Sequence, residues 1–408
     1  MNYLWGILGI LVVLGLAFLM SNNKRKINIR TIMIGLAIQI GFAIIVLKWP
    51  LGRLALQKLT DGVNAVITYA NEGISFLFGG LNTPESGISF VFAFNVLGII
   101  VFFSALISVL YYIGFMQLII KYIGGALAKL LGTRKAESFS ATANIFVGLT
   151  EAPLVIKPYI AKLTQSELFS VMVCGLASVS GSVLAGYALI GVPLEYLLAA
   201  SLMSAPAGLL LSKLVFPETE QSSENDREKI EMAADEESSN VIDAAANGAS
   251  TGLQLALNVG AMLLAFIAII ALINGILGLV GGWFGFGELS LELLLGYVFA
   301  PLAFLIGVPW SEALQAGGFI GQKLIINEFV AYSSFAPEIP SLSSKTVAIV
   351  SFALCGFANL SSLGILLGGL GKLAPGRRPD IARLGIKAII TGALASCLSA
   401  AIAGMIIG

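Results

Sequence analysis

Residues 174–180 read CGLASVS, and 181 residues later, at 355–361, the chain reads CGFANLS. Each heptad forms the polar middle of an otherwise apolar stretch rich in Gly and Ser. Upstream of each lies a short, broken apolar segment that carries an acid. The first, NIFVGLTEAPLVIKP (144–158), holds Glu151, and the second, GQKLIINEFVAY (321–332), holds Glu328. In both halves the order is broken segment with Glu, then Gly/Ser-rich span, then a further span. One span and an oblique apolar run separate the halves, so the second starts from the opposite side of the membrane. Interrupted segments at matching places in an inverted repeat are the pattern of secondary transporters, with a binding site near the bilayer midplane.

A helix needs about 20 mainly apolar residues to cross a bilayer. Residues 3–20, 32–49, 90–112, 168–190, 194–211, 253–280, 346–370 and 384–407 qualify. The expected fold is therefore an all-α integral membrane protein with about eight transmembrane helices and two re-entrant hairpins around an inverted-repeat transport core. A ninth run, 289–308, is interrupted by Pro301 and reads either as a span or as an oblique surface helix. Residues 51–81 place Leu54, Leu56, Leu59, Val63, Val66 and Ile67 at helical spacing among Arg53, Lys58, Asp61 and Asn64, which suits a helix lying along the interface. The first apolar run is expected to be a retained span. No basic residue precedes it, and no small-residue cleavage site follows before Lys24, Arg25 and Lys26.

Composition agrees. Of 408 residues, 11% are charged and 57% hydrophobic, and mean hydropathy is +0.94. A soluble chain carries about 25% charge, so this one lacks the polar surface to cover itself in water. The 23 basic and 23 acidic residues cancel, and nothing suggests a nucleic-acid surface. There is no histidine, which removes HExxH zinc hydrolases, imidazole haem ligation and Ser-His or Cys-His catalysis. Cys174, Cys355 and Cys397 lie in apolar stretches and read as small hydrophobes.

Basic residues set the expected orientation. Lys24, Arg25, Lys26 and Arg30 place the first connection in the cytoplasm, and Lys372, Arg377, Arg378, Arg383 and Lys387 do the same for the last, leaving both termini outside. Segment 217–240 holds nine acidic residues against Arg227 and Lys229 and reads as a solvated cytoplasmic linker. The expected division is 1–115 for scaffold helices (two spans, interfacial helix, third span) and 116–215 for a first repeat (interfacial helix, hairpin, two spans). An acidic loop at 216–252, a scaffold span at 253–285 and a second repeat at 286–408 complete it.

The hairpins are expected at 138–160 and 309–332. Gly148 and Pro153 disrupt the first, and backbone freed from helical bonding at membrane depth must line protein or a wet cavity. An acid there is a functional candidate by default. For Glu151 and Glu328 the competing reading is a structural pair with Lys157 or Lys323. For Asn144, Ser178, Asn359 and Ser362 it is interhelical hydrogen bonding.

NIFVGLTEAPLVIKPYI, GLASVSGSVLAGY, KLIINEFVAY and CGFANLSSLGILLGGLG together resemble the concentrative nucleoside transporter family, in its bacterial form, over most of the chain from about Phe90 onward. The resemblance implies a homotrimer in the bacterial inner membrane, without an organic cofactor, that imports nucleosides with a cation by elevator-like or rocking alternating access. It implies that Thr150 and Glu151 contact the nucleoside, with Glu151 on the base side, and that Val183 and Phe357 form apolar walls. Glu328, Asn359 and Ser362 match the group that hydrogen-bonds ribose. Sodium would be held by side chains of Asn144 and Ser178 and carbonyls of Val147 and Val179. Where many members have Gly-Gln before Thr-Glu, this chain has Gly148-Leu149, which leans toward purine nucleosides. The chemistry fits independently: vicinal hydroxyls suit a carboxylate, an amide and a hydroxyl, and sodium suits hard oxygen ligands.

Three alternatives stand beside this reading. One is a proton-coupled nucleoside symporter of broad or pyrimidine preference, with Glu151 as the titrating group. Another is a passive channel. The third is an integral-membrane enzyme using Glu151 and Glu328 as acid and base, for which neither nucleophile nor metal motif is evident, so no enzyme is expected.

Overall fold

In the computed structural model the described residues are 2–79, 91–220 and 238–407, and every regular element among them is helical. α1 (Asn2–Leu19) and α2 (Ile29–Leu47) are both apolar, with Asn28 accepting from the Thr31 N–H to cap α2. α3 (Pro50–Phe78) starts at Pro50, where the missing N–H costs nothing. Its inward face is Gly52, Leu56, Thr60, Ile67, Ala70 and Ile74. Leu54 and Leu59, expected in one stripe with Leu56, point outward instead, 49% and 46% exposed.

α4 (Phe92–Tyr112) leads to α5 (Phe115–Leu131), bounded by Gly114 and Gly132 with left-handed φ. The first hairpin is α6 (Lys135–Ala143), a turn, and a 3-10 segment, Ala152–Lys162. α7 (Gln165–Leu176) opens with a capping box in which Thr164 and Glu167 satisfy each other's N–H. α8 (Gly181–Leu189) and α9 (Leu194–Val215) close the first half. Ion pairs to buried carboxylates join Arg134 to Glu167 and Lys213 to Glu137, each at 2.8 Å, and tie the hairpin to α7 and α9.

α10 (Val241–Trp283) is longer than expected. Residues 241–252, assigned above to the acidic loop, are its first three turns, capped by Asn240. Segment 221–237, the centre of that loop, lies outside the described residues, as do residues 80–90. Gly248 and Gly252 let α10 touch α4: a Cβ on Gly252 would sit 2.8 Å from Val101 Cα, so only a small residue fits this crossing. α11 (Leu291–Leu305) and α12 (Trp310–Ile325) meet at a 117° bend. The run containing Pro301 is thus a separate helix packed along the second hairpin, which α12 and α13 (Glu328–Phe335) make up. α14 (Ser344–Leu354), α15 (Ser362–Gly368), α16 (Leu370–Leu373) and α17 (Arg378–Ile407) complete the chain.

Two expected spans are broken inside. Residues 168–190 split into α7 and α8 around Ala177–Ser180, and 346–370 into α14 and α15 around Cys355–Ser361. Both breaks fall in the two repeated heptads. Burial sorts the helices into two populations. Gln165–Leu189 and Leu194–Val215 have 94% and 89% of their apolar window buried, against 28%, 22% and 11% for Ile29–Leu47, Phe92–Tyr112 and Val241–Trp283. The repeats form the core, and α2, α4 and α10 surround it with apolar side chains turned outward. In lipid such exposure is no penalty, because acyl chains are as apolar as leucine.

Candidate functional site

The two broken heptads meet inside the core. Phe357 N–H donates to Ser178 O at 3.1 Å, so backbone freed by one break satisfies backbone freed by the other. Each hairpin is also tied to the break of its own repeat: Gly181 N–H donates to Phe146 O at 2.9 Å, and Leu360 N–H to Leu324 O at 3.3 Å. Half-helix N-termini consequently converge here, those of α8, α13 and α15. Such ends favour anionic and hydroxyl-bearing groups.

Glu328 is the first residue of α13, whose cap is Asn327. Its carboxylate is buried and held from two sides. Tyr187 Oη donates to Oε1 at 3.2 Å, and Asn359 Nδ2 donates to Oε2 at 3.0 Å. The Asn359 amide is oriented in turn, because its Oδ1 accepts from the Ser362 N–H at 3.0 Å and from Ser361 Oγ at 2.6 Å. Ser362 Oγ reaches Asn359 Oδ1 at 3.0 Å and also contacts Phe357 O. Three of the four residues matched to ribose recognition and its nearby wall, Glu328, Asn359 and Ser362, form one hydrogen-bonded cluster, and half-buried Phe357 adjoins it. The carboxylate also accepts from its own backbone N–H, and acceptor capacity is left for a ligand hydroxyl.

Tyr187 was not among the expected site residues, although it ends the quoted motif GLASVSGSVLAGY. It lies one turn beyond Val183 on α8, so the two share a face, and its ring packs on Phe329 (4.7 Å) and Tyr332 (4.4 Å). It links the first repeat to the acid of the second. Tyr187→Phe should keep those ring contacts and lose one hydrogen bond to the carboxylate. We expect about a tenfold higher KM for nucleosides with Tm nearly unchanged. A 2′,3′-dideoxy nucleoside should feel the change less; an equal effect on both would mean that Tyr187 acts only through packing.

The first hairpin is arranged differently. Glu151 Oε2 accepts from Gly148 N–H at 3.0 Å and so caps its own tip. Among the described residues no hydrogen bond joins Glu151 to Glu328. Thr150 reaches across to the second repeat at Gly369, where an added Cβ would lie 2.4 Å from Thr150 Cγ2. Leu149 is buried and faces Gly175: a Cβ on that glycine would lie 3.0 Å from Leu149 Cβ.

For a cation, the structure offers a specific oxygen. Asn144 Nδ2 donates to Ser140 O at 2.9 Å, which turns Oδ1 the other way, toward Gly175. That oxygen is buried and has no hydrogen-bond donor. Ser178 Oγ donates to Cys174 O at 3.0 Å, leaving its lone pairs free to accept. Val147 O and Val179 O take no backbone hydrogen bond among the described residues. Hard oxygens with free lone pairs of this kind suit sodium.

Neither structural lysine pair forms among the described residues. Lys157 is exposed, and the Lys323 ammonium donates to Ala353 O at 2.8 Å and Ser396 Oγ at 3.3 Å. It meets the C-terminal end of α14, where the break frees carbonyls and the helix dipole favours a cation. The three cysteines are buried and free.

Comparison with known proteins speaks to the same arrangement. Family profiles described as Na+ dependent nucleoside transporter match residues 8–81 (N-terminus) and 196–404 (C-terminus), and one described as nucleoside recognition matches 93–194. The nucleoside permease NupC of Helicobacter pylori is 53% identical over 99% of this chain and 98% of its own length. This chain belongs to the concentrative nucleoside transporter family. The rat sodium/nucleoside cotransporter 2 is 38% identical across 98% of this chain, which spans 62% of that longer protein. Solved structures of the transporter CNTnw superpose along the whole chain at 56% identity, with TM-scores of 0.94 for an inward-facing substrate-bound state and 0.96 for a variant in an outward-facing state. The relatives are permeases and cotransporters, so this nucleoside transporter is not an enzyme, and it crosses the membrane several times.

Proposed function

We propose that this transporter imports nucleosides across the bacterial inner membrane, driven by sodium. The cluster of Glu328, Asn359, Ser362 and Tyr187 holds the ribose, and Glu151, Thr150, Val183 and Phe357 surround the base. The observation that carries the reading is the buried Glu328 carboxylate, oriented by Tyr187 and Asn359 where both repeats meet, with acceptor capacity left over. Sodium occupies the oxygens of Asn144, Val147, Ser178 and Val179; the donorless Asn144 Oδ1 supports this. The buried repeats move as a unit against α1–α4 and α10, and the inward- and outward-facing states of CNTnw support such alternating access. The basic clusters support external termini, and the family supports a homotrimer. Uptake of a radiolabelled nucleoside panel into proteoliposomes, with sodium and proton gradients imposed separately, tests the whole reading; no accumulation under either gradient would refute it.

A preference for purines rests on Leu149. An apolar side chain near the base gives no reward to a pyrimidine's polar edge, and apolar sites discriminate weakly. Inosine, guanosine or adenosine should outcompete uridine and cytidine by about 1–2 kcal/mol, one hydrogen bond's worth. Leu149→Gln should narrow that gap. Wild-type preference for uridine over every purine, or an unchanged ranking in the variant, would remove position 149 as selector.

A further inference from the structure

The ends of α2, α9 and α17 opposite the basic clusters line, together with α3, a half-open cavity of about 620 Å3. That is within the range of small-ligand sites, roughly 300–1,000 Å3, and it plays no part in the transport site described above. Its polar wall comes from Lys48, Arg53, Gln57, Thr60 and Glu195. Arg53, Gln57 and Thr60 stand at i, i+4 and i+7 on α3, so one helix face presents all three. Leu56 on the same helix and Ile406 and Ile407 at the end of α17 supply apolar surface.

The charges of this wall point to a ligand. Arg53 and Glu195, both exposed at the mouth of the same space, carry opposite charges, and neither forms an ion pair with the other or with any described residue. Lys48 adds a second cation, using one donor on Tyr3 Oη at 2.8 Å and keeping the rest. Two cations and an acid held apart around a cavity fit a ligand that carries both signs of charge.

The rim fixes its depth. Tyr3, Trp49, Leu51 and Leu54 are 54%, 51%, 62% and 49% exposed around this corner. Aromatic and amphipathic side chains of this kind settle at the headgroup level of a bilayer. We propose that the cavity binds the headgroup of a zwitterionic phospholipid bearing a phosphate and a primary ammonium. The phosphate meets Arg53, whose planar fork suits it, and Lys48; the ammonium meets Glu195; the acyl chains leave past Val46 and Leu47. Because α2 and α3 form one wall and the core helices α9 and α17 the other, the bound lipid favours the conformation in which these walls stand at this separation.

The test is native mass spectrometry of the delipidated full-length protein in detergent, titrated with phosphatidylethanolamine, phosphatidylcholine, phosphatidylglycerol and soluble phosphoethanolamine. Phosphatidylethanolamine should be retained about fivefold better than the other two lipids, the scale of partly exposed ion pairs. Arg53→Gln should lower that retention about as much, and Glu195→Gln should abolish the distinction from phosphatidylcholine, whose quaternary ammonium donates no hydrogen bond. Equal retention of the three lipids by the wild type would overturn the proposal, whatever the variants do, and so would unchanged selectivity in folded variants. Competition by phosphoethanolamine as strong as by the lipid would assign the cavity to a soluble zwitterion and overturn the lipid assignment.

Discussion

Glu328→Gln is expected to leave the protein folded and assembled while cutting nucleoside uptake by about 100-fold or more, since each charge-assisted hydrogen bond lost is worth about 1.5–3 kcal/mol. The fold should survive because both neighbours of the carboxylate are donors with different freedom. Asn359 cannot turn its amide, since its Oδ1 is committed to the Ser362 N–H and Ser361 Oγ. The new Gln can place its oxygen toward Asn359 Nδ2 and its NH2 toward Tyr187, whose hydroxyl rotates and accepts. What disappears is the negative charge and the spare acceptor capacity facing the ligand. The measurement is the initial rate of labelled nucleoside uptake in proteoliposomes, with Tm and oligomer size recorded in parallel. The wild type should also strongly prefer the parent nucleoside to its 2′,3′-dideoxy analogue, and the variant should not. Uptake within about threefold of wild type would remove Glu328 from the ribose site.

That residue was legible in the sequence because a carboxylate in a broken apolar segment is too costly to keep at membrane depth unless it is paired, wet or used. Several features were not legible, each for a physical reason. Hydropathy averaged over some 20 residues passes straight over the breaks at 177–180 and 355–361, whose Ala, Ser, Gly and Phe are nearly neutral or apolar in sum. Only the repetition of the heptad marked them. Residues 241–252 read as loop because VIDAAANGASTG is too polar to cross a membrane. Their alanines favour helix nonetheless, and Asn240 supplies the cap. Tyr187 looks like one more aromatic in an apolar run, since its partner is 141 residues away in sequence and on the other repeat. The contact of Thr150 with Gly369 is invisible for the same reason. Periodicity sees neighbours along one helix and is blind to what the inverted halves place opposite each other. On α3 even the periodicity misleads, because in a lipid-facing helix apolar residues occupy the outside as well as the inside.

Sodium dependence should shift most when Ser178 is changed. Asn144 Oδ1 has been left without a donor in the protein interior, a state that costs about 1–3 kcal/mol unless something fills it. In the proposed site a bare cation is that partner, held by this oxygen together with Ser178 Oγ and the carbonyls of Val147 and Val179. Ser178 donates its own proton to Cys174 O, so it presents only oxygen to the site. Ser178→Ala removes that ligand and leaves an apolar methyl. The sodium concentration for half-maximal uptake should rise about tenfold or more, if the lost contact is worth what a hydrogen bond to a charge is worth. Coupling is reciprocal, so sodium must raise nucleoside affinity by the factor that nucleoside raises sodium affinity. In the variant at fixed sodium, nucleoside KM should therefore rise, and saturating sodium should restore it. A residue that merely supports the fold would not be rescued by salt. Two controls separate the ions: replacing sodium by choline should stop accumulation in the wild type, and an uncoupler with sodium still present should leave most of it. If accumulation continues in choline and collapses with the uncoupler, the driving ion is the proton, and Asn144 Oδ1 has some other partner.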